Sequence, residues 1–247
     1  MTNATRETLV SARELTKVYT TGKVETPALR GVTLDVRAAD FMAIVGPSGS
    51  GKTTLLNLVG LLDLATGGSL EVLDRDVSTM SSRARADTRL HHLGFVFQAY
   101  NLVPVLTAQE NVEFVFELQG VGRERRKRAS EILEQLGLGE LASRRPNELS
   151  GGQQQRVAVA RAVASRPKLV LADEPTANLD GENAEVLLSM MHDLNDEHGT
   201  TFIFSTHDPR VVAYARRVVR LVDGRVESDE QKNSTRDPSV ERPDEAG

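Results

Sequence analysis

One segment of the sequence has the residue types and the spacing of a phosphate-binding loop. It reads Gly46-Pro47-Ser48-Gly49-Ser50-Gly51-Lys52-Thr53-Thr54, and up to Thr53 it fits the pattern G-x-x-x-x-G-K-[ST]. Glycines let the backbone curl so that successive N–H groups point at phosphate oxygens, and the positive end of a following helix dipole adds to the attraction. Lys52 would place its charge on the β- and γ-phosphates, and the Thr53 hydroxyl would bind Mg²⁺. The segment therefore predicts a binding site for a nucleoside triphosphate.

A pair of carboxylates follows a short apolar run later in the chain. Residues 168–172 read Lys-Leu-Val-Leu-Ala and precede Asp173 and Glu174. A buried strand that ends in two carboxylates would place Asp173 near the Mg²⁺ ion and leave Glu174 free to orient or deprotonate a water molecule. Taken alone, the pair is equally compatible with a structural turn. Its presence in the same chain as the phosphate loop favours the catalytic interpretation.

A second helix start has the composition of a phosphate-binding end. The segment Leu149-Ser150-Gly151-Gly152-Gln153 directly precedes a helical run at 154–164. A hydroxyl and two unhindered backbone amides at a helix N-terminus attract phosphate. Because the first loop already holds the triphosphate, both helix ends can act on one γ-phosphate only if two copies of the chain face each other head to tail. The sequence thus predicts a symmetric dimer with a second copy of itself.

These groups must be positioned by strands and helices that alternate along the chain. Leu187, Met190, Met191 and Leu194 form an apolar stripe at helical spacing, and Asp223-Gly224 predicts a tight hairpin. Strands separated by helices favour an α/β fold with a mainly parallel sheet. The apolar runs suited to buried strands lie at 41–45, 95–97, 169–172, 201–204 and 218–222, an alternating strand lies at 32–36, and helices are predicted at 52–62 and 154–164.

Composition excludes several classes of protein. The chain has 247 residues, 39% of them apolar, and it contains no cysteine. It can therefore bury a sizeable core, and it can form neither disulfides nor thiolate metal sites. The first ten residues lack the pattern of a secretory signal, and no apolar run approaches the ~20 residues that cross a bilayer. Work on a membrane is therefore expected to go through a partner.

Two charged segments have a structural and a functional interpretation each. Residues 227–247 contain seven acidic and three basic side chains and almost no apolar ones, which predicts a disordered acidic tail, with a regulatory role as the alternative. The basic cluster 123–128 is predicted to be a solvated helix face. Binding of nucleic acid is the less favoured alternative there, because the body of the chain is nearly neutral.

Taken in order, these motifs resemble those of the ATP-binding subunits of ABC transporters, and the resemblance covers residues 9–226. It implies a nucleotide-binding domain at 1–226 with the P-loop NTPase fold. This fold has a RecA-like, mainly parallel sheet core, an antiparallel β subdomain and a helical signature subdomain at about 99–165. It also implies an ATPase that uses ATP and Mg²⁺, dimerises and drives an integral membrane permease subunit. The chain would then be cytoplasmic and peripheral on the inner face of the cell membrane.

The resemblance also assigns roles to residues that no local pattern singles out. Tyr19 resembles the aromatic residue that stacks on adenine, although a strand tyrosine packed on its own sheet is the alternative. Gln98 resembles the glutamine that touches Mg²⁺ or the attacking water. The segment 178–180 resembles the loop that crosses between subunits. His207 resembles the histidine that contacts the γ-phosphate, and it completes the catalytic set with Lys52 and Glu174.

Two stretches, 18–32 and 145–156, are similar to the group that contains the lipoprotein-releasing and macrolide-exporting ATPases. This implies a dimeric membrane subunit of export or mechanical-transmission type, whose coupling helix would lie in a groove formed by residues 100–112. An ATPase that regulates a membrane partner without moving a solute, as in a division-type complex, is the alternative. The transported substrate and the direction of transport are not encoded in these residues.

Overall fold

The structure is a computed structural model that describes residues 6–232. The described strands are β1 (Thr8–Thr21), β2 (Val24–Arg37), β3 (Phe41–Val45), β4 (Gly67–Val72), β5 (Arg75–Asp76), β6 (Leu93–Phe97), β7 (Leu169–Asp173), β8 (Thr201–Thr206), β9 (Arg217–Val222) and β10 (Arg225–Gln231). The described helices are α1 (Lys52–Val59), α2 (Ser82–His92), α3 (Ala108–Leu118), α4 (Arg125–Gln135), α5 (Gly151–Val163), α6 (Gly181–His198) and α7 (Pro209–Tyr214). No helix within 6–232 is long and apolar enough to cross a bilayer.

The central sheet has the strand order β10-β9-β3-β8-β7-β6. Its strands are parallel from β9 through β6, and only β10 is antiparallel to its neighbour. Strands β3, β7 and β8 are buried along almost their whole length, as expected for parallel strands covered on both faces. The predicted α/β fold with a mainly parallel sheet is confirmed. Since parallel strands end at the same edge, the loops after β3, β6, β7 and β8 lie side by side.

A four-stranded antiparallel sheet, of order β2-β1-β4-β5, covers one side of this core. Its inward apolar side chains, such as Leu15 and Leu34, share one cluster with Leu55 and Leu58 of α1 and with Leu221 of β9. Helix α1 is therefore held between the two sheets. The loop that leads into α1 lies in the same cleft.

Helices α3, α4 and α5 share a separate apolar cluster that includes Val112, Phe116, Leu133 and Val157. They lie within the stretch that the resemblance assigns to a helical subdomain, about 99–165. Helix α5 also packs closely on β6, since a Cβ at Gly94 would lie 2.4 Å from the Ala162 carbonyl oxygen. The division of the chain into subdomains stays a prediction.

The prediction that disorder begins at residue 227 is wrong for the first residues of the tail. Residues 227–231 belong to β10 and pair with β9 in the register Ser228↔Arg220 and Gln231↔Arg217. Arg217 donates to the Asp229 carboxylate through Nε at 2.7 Å and Nη2 at 2.6 Å. Arg217 and Arg220 of β9 thus form diagonal cross-strand ion pairs with Asp229 and Glu227 of β10, and these pairs stabilise a segment that its own composition would leave disordered. The rest of the predicted tail, 233–247, lies outside the described residues.

The hairpin that joins β9 and β10 was predicted correctly. Asp223 has φ 45° and Gly224 has φ 75°, as a two-residue turn with both central residues in the left-handed region requires. Helix α1 is shorter than the predicted 52–62, because the chain leaves the helix after Val59 and Leu61 adopts φ 57°. Helix α5 begins at Gly151, three residues before the predicted start at 154.

Candidate active site

The phosphate-binding loop connects β3 to α1. Gly46, Gly49 and Gly51 all have positive φ, at 153°, 78° and 102°. A Cβ at Gly46 would lie 2.0 Å from the Leu221 carbonyl oxygen, and one at Gly51 would lie 2.6 Å from the Ala28 carbonyl oxygen. Only glycine fits at either position, so the loop is wedged between β9 and β2. At Gly49 a Cβ would meet nothing within 4 Å, and the backbone there borders open space in which phosphate oxygens can lie.

The C-terminal hairpin braces this loop. The Gly224 N–H donates to the Ser50 carbonyl oxygen at 3.0 Å, and the Gly224 carbonyl oxygen accepts from the Arg30 N–H at 2.8 Å. The Ser50 side chain is turned inward and is buried beside Gly46. Hairpin, loop and β2 therefore form one hydrogen-bonded unit around the phosphate site.

Lys52 is held over the loop that precedes it. Its Nζ donates to the carbonyl oxygens of Gly46 at 2.8 Å and Pro47 at 3.0 Å, and the residue is only 9% exposed. These two bonds fix the ammonium group at the mouth of the loop. It is positioned there to bind phosphate oxygens as a compact positive charge.

Oxygen ligands suited to Mg²⁺ converge beside the loop. Thr53 Oγ1 donates to Asp173 Oδ1 at 3.3 Å. Asp173 is also paired with Phe97 across the sheet, so Gln98 follows at the next position along that edge. A hydroxyl, a carboxylate and an amide oxygen are hard ligands that can hold Mg²⁺ next to a bound triphosphate. The structure thus brings the side chains of Thr53 and Asp173 together and places Gln98 directly after the neighbouring strand.

Glu174 and His207 lie next to each other at the ends of β7 and β8. Glu174 Oε1 is 2.7 Å from His207 Nδ1, and Glu174 Oε2 accepts from Thr206 Oγ1 at 3.2 Å. The Glu174 backbone has φ 47°, and its N–H donates to the Ser205 carbonyl oxygen at 2.8 Å. The carboxylate is therefore fixed by its neighbours and by an unusual backbone conformation. A carboxylate held in this way beside a histidine can orient a water molecule and accept its proton.

The Ser150 segment forms a complete helix cap. Ser150 Oγ accepts from the Gln153 N–H at 3.3 Å, and the Gln153 side chain accepts from the Ser150 N–H at 2.9 Å. This reciprocal cap gives Gln153 a structural partner within its own chain. A Cβ at Gly151 would lie 2.9 Å from the Tyr100 hydroxyl, and one at Gly152 would lie 2.4 Å from Asn183 Oδ1. The two glycines allow the start of α5 to pack against the segment after β6 and against α6.

Tyr19 lies near the end of β1 and is 39% exposed. It is paired with Thr26 of β2, two residues from the Ala28 carbonyl oxygen that Gly51 approaches. The Tyr19 hydroxyl donates to Asp63 Oδ2 at 3.1 Å. The ring is therefore a partly exposed aromatic surface on the strand pair that borders the phosphate loop.

The sequence pattern of the family described as "ABC transporter" matches residues 29–177, which is more than half of the chain. The chain belongs to the ABC transporter family. It is an ATP-binding and ATP-hydrolysing subunit of that family, as the motifs predicted. The individual roles of the site residues stay predictions.

Relatives of this ABC ATPase differ in length. The lipoprotein-releasing system ATP-binding protein LolD of Anaeromyxobacter dehalogenans is 49% identical over 216 residues, which are 86% of this chain and 90% of that protein. The macrolide export ATP-binding/permease protein MacB of Syntrophobacter fumaroxidans is 45% identical over 222 residues, which are 89% of this chain but 31% of that protein. This ABC ATPase therefore corresponds to less than a third of MacB.

A solved structure of the ATP-binding cassette MJ0796 has the same fold. This protein of Methanocaldococcus jannaschii was captured as a dimer in a post-hydrolysis state, bound to ADP and Pi. The TM-score is 0.84 at 41% identity, and the match covers 92% of this chain and 100% of the other. The predicted P-loop NTPase fold of this ABC ATPase is confirmed.

Two polar residues of α5, the buried Gln155 and the half-buried Arg161, make contacts near the site that sequence reasoning missed. The Gln155 amide, which is fully buried, donates to the carbonyl oxygens of Pro175 at 2.8 Å and Phe97 at 3.5 Å. Arg161 donates to the carbonyl oxygens of Tyr100, at 2.9 Å, and Asn101. Burial lowers the pKa of the Arg161 guanidinium. Helix α5 of this ABC ATPase is thereby tied to the segments after β6 and β7.

Asp208 ties the segment after β8 to the segment after β7. It caps α7, and its carboxylate accepts from Thr176 Oγ1 at 2.6 Å and from Arg210 Nη2 at 2.8 Å. Burial of the carboxyl group opposes its ionisation, but hydrogen bonds from Arg210 and Thr176 outweigh this effect and lower the pKa of Asp208 to about 2. The ionised carboxylate thus stabilises the turn that carries His207.

Asp208→Asn is expected to lower the free energy of unfolding at pH 7 by about 2 kcal/mol. Asn caps a helix about as well as Asp does, so the variant removes mainly the charge. Because the folded-state pKa of Asp208 lies below its unfolded value, its stabilisation is present above about pH 4 and is lost as the pH falls towards 2. Urea unfolding at a series of pH values measures the effect.

The matched control is Asp180→Asn, at the exposed cap of α6, for which a smaller loss is expected. The difference in free energy of unfolding between wild type and Asp208→Asn should become smaller as the pH falls. If this difference in free energy stays constant from neutral to acidic pH, the stabilisation by Asp208 does not come from its charge.

Proposed function

We propose that two copies of this ATPase bind two Mg·ATP between them in a head-to-tail dimer. The observation that carries the proposal is the separation of two phosphate-binding helix ends. Within residues 6–232, no hydrogen bond or ion pair joins the loop 46–53 to the segment 150–153. A symmetric dimer would bring each Ser150 end to the γ-phosphate held by the partner's loop. The dimeric MJ0796 cassette supports this arrangement.

Each half-site has a defined chemical task in this proposal. Lys52 and the backbone N–H groups of 46–53 bind the β- and γ-phosphates, while Thr53, Gln98 and Asp173 hold Mg²⁺, which neutralises charge on the phosphates when bound. Glu174 orients the attacking water and accepts its proton. When both ring nitrogens of His207 carry a proton, Nδ1 donates to Glu174 at 2.7 Å and Nε2 can donate to an oxygen of the γ-phosphate. Tyr19 stacks on adenine.

In this proposal, ATP stabilises the dimer because it contacts both chains. Because the γ-phosphate bridges the loop of one chain to Ser150, Gly151 and Gly152 of the other, ATP shifts the population towards the closed state. Loss of the γ-phosphate on hydrolysis removes the bridge and reopens the dimer. This opening and closing would be transmitted to a membrane subunit.

Dilution of the protein tests whether each ATP site is formed by two chains. ATP turnover per chain should fall as the chain concentration drops below the dissociation constant of the dimer, because a single chain owns only half of each site. Ser150→Arg should leave ATP affinity of the single chain within about twofold and lower turnover at least tenfold. Ser189→Arg, on an exposed position of α6, is the matched control. Undiminished turnover in particles shown to be monomeric would overturn the proposal.

A groove beside the segment after β6 supports the proposed membrane partner. A cavity of about 320 Å³ is lined by the end of α2, by Phe95 and Phe97 of β6, and by Asn101, Val115 and Arg161. Val105, within residues 100–112, is 71% exposed, and Leu118 at the end of α3 is 56% exposed. We propose that this groove, with residues 100–112, receives a coupling helix of a permease subunit of export or mechanical-transmission type. The ATPase would then lie at the cytoplasmic face of the membrane.

Val105→Asp is expected to release the ATPase from the membrane fraction of its native host while basal ATP turnover of the purified protein stays within about twofold. The reason is that a charge on an exposed apolar contact opposes its burial in an interface. Val186→Asp on α6, which is also an exposed valine, is the control. Membrane association that survives Val105→Asp unchanged would count against this groove.

The alternative partner function is regulation of a membrane protein without solute movement. Both functions use the same ATPase site, so they differ in whether turnover is stimulated by a transported substrate in vesicles that contain the membrane subunit. We expect no nucleic acid partner. Arg125, Lys127 and Arg128 of the basic cluster lie within ion-pair distance of Glu113, Glu131 and Glu124, which supports a solvated helix face.

A further inference from the structure

Lys17, Tyr19 and Asp63 form a polar cluster near the C-terminal end of β1. Asp63 Oδ2 accepts from the Tyr19 hydroxyl at 3.1 Å, and Asp63 Oδ1 accepts from Lys17 Nζ at 2.7 Å. The Lys17 ammonium lies 4.9 Å from the centre of the Tyr19 ring. The carboxylate thus binds the hydroxyl of Tyr19 and the ammonium lies over its ring, while the residue is 39% exposed.

The two charged residues are fixed independently of the ring. The Asp63 N–H donates to the Asn57 carbonyl oxygen at 3.3 Å, which anchors the turn after α1. Asp63 Oδ1 also accepts from the Leu64 N–H at 2.7 Å, and Lys17 Nζ donates to the Leu64 carbonyl oxygen at 2.7 Å. The side chains of Lys17 and Asp63 are 12% and 31% exposed. Hydrogen bonds therefore fix Lys17 and Asp63 in place, and Tyr19 is the most exposed residue of the cluster.

Electrostatics favour the same arrangement. Burial of the Asp63 carboxyl group opposes its ionisation, but hydrogen bonds from Lys17, the Leu64 N–H and Tyr19 outweigh this effect and lower its pKa. The charged carboxylate is a strong acceptor for the tyrosine hydroxyl. A cation near the ring is attracted to its π-electrons, and it covers one face. The opposite face is the one left for a planar ligand.

We propose that Asp63 and Lys17 are positioning residues that hold the Tyr19 ring in place for stacking on the nucleotide base. This inference rests on the stacking role of Tyr19 in the proposed function. Neither residue touches the nucleotide. An exposed tyrosine would lose side-chain rotational freedom when it binds a base, and this loss would lower the affinity. Asp63 and Lys17 restrict the ring before binding, so they raise the affinity for a ligand that carries a base.

The inference predicts a selective loss of affinity. Asp63→Asn and Lys17→Met should each raise the Kd for ATP roughly 3- to 10-fold, the range expected when an aromatic stacking contact is weakened. The Kd for inorganic tripolyphosphate should stay within about twofold, because that ligand has no base. Titration calorimetry with EDTA present measures both constants without hydrolysis. Substitution of a residue with a merely structural role would lower the affinity for both ligands.

The controls separate the possible causes. Asp35→Asn breaks an ion pair with Arg13 in the same sheet, at 2.6 Å, without touching Tyr19, and should leave both constants unchanged. In a Tyr19→Ala background, Asp63→Asn should weaken ATP binding no further, since it acts through the ring. Thermal unfolding identifies a variant that fails to fold, and Lys17→Met then carries the test alone.

Two results would overturn different statements. If Tyr19→Ala itself leaves the ATP and tripolyphosphate constants unchanged, the stacking role in the proposed function is wrong, and this inference falls with it. If Tyr19→Ala weakens ATP selectively while Asp63→Asn and Lys17→Met do not, the stacking role stands and the positioning role is wrong. If Asp63→Asn lowers the affinity for ATP and for tripolyphosphate equally, the positioning role is also wrong.

Discussion

Glu174→Gln is expected to lower ATP turnover by roughly two to four orders of magnitude while ATP binding is preserved. The substitution keeps the size of the side chain and an oxygen that can accept from Thr206 Oγ1, now at 3.2 Å. It removes the negative charge that accepts a proton from the attacking water. Steady-state turnover and equilibrium binding of ATP, measured on the same preparation, give the two effects separately.

The same variant should accumulate as an ATP-bound dimer, because the γ-phosphate that joins the two chains is no longer removed. Light scattering after size-exclusion chromatography with ATP and Mg²⁺ gives the mass. Glu185→Gln is a matched control, since Glu185 also accepts a hydrogen bond from a hydroxyl, that of Tyr214, at 3.0 Å. Turnover within tenfold of wild type, or a variant that stays monomeric with ATP, would contradict the assignment.

Lys52→Ala is expected to raise the Kd for ATP roughly 10- to 150-fold, the range that corresponds to the loss of a charged hydrogen bond to phosphate. The ammonium group is fixed above the loop by the carbonyl oxygens of Gly46 and Pro47, so its loss removes a preorganised charge. Turnover at limiting ATP should fall by at least the same factor. Titration of ATP with EDTA present isolates the binding step.

Lys168→Ala provides the matched control for this effect. Lys168 forms an exposed ion pair with Glu7 at 3.0 Å, and exposed pairs contribute little to stability. Its removal should leave ATP affinity unchanged. An Lys52→Ala variant that is folded and binds ATP as tightly as wild type would exclude the assigned role of this lysine.

The elements that could be predicted from the sequence are those specified by local pattern. The phosphate loop combines a glycine-rich stretch with a strand before it and a helix after it, and the buried strands are short apolar runs. The residues at the strand ends, such as Asp173 and Glu174, follow from that pattern together with the parallel order of the strands. In each case, neighbours along the chain carry the information.

Features that depend on contacts between distant segments could not be predicted. The full length of β1 is concealed because its pairing with β2 shifts register between Ala12 and Leu15, and Glu14 has φ 46°, which interrupts the alternation of apolar residues. Gln155 and Arg161 have the composition of a solvated helix surface, yet they bind carbonyl oxygens of other loops. Strand β10 is acidic and is stabilised by arginines on β9.

The brace between the C-terminal hairpin and the phosphate loop has a consequence for biosynthesis. Leu221 and Gly224 contact the loop near Gly46 and Ser50, although well over a hundred residues separate them along the chain. A ribosome-bound chain that has exposed the loop but not yet the hairpin lacks one wall of the phosphate cradle. We therefore expect incomplete translation products to bind ATP more weakly until β9 and β10 have emerged from the exit tunnel.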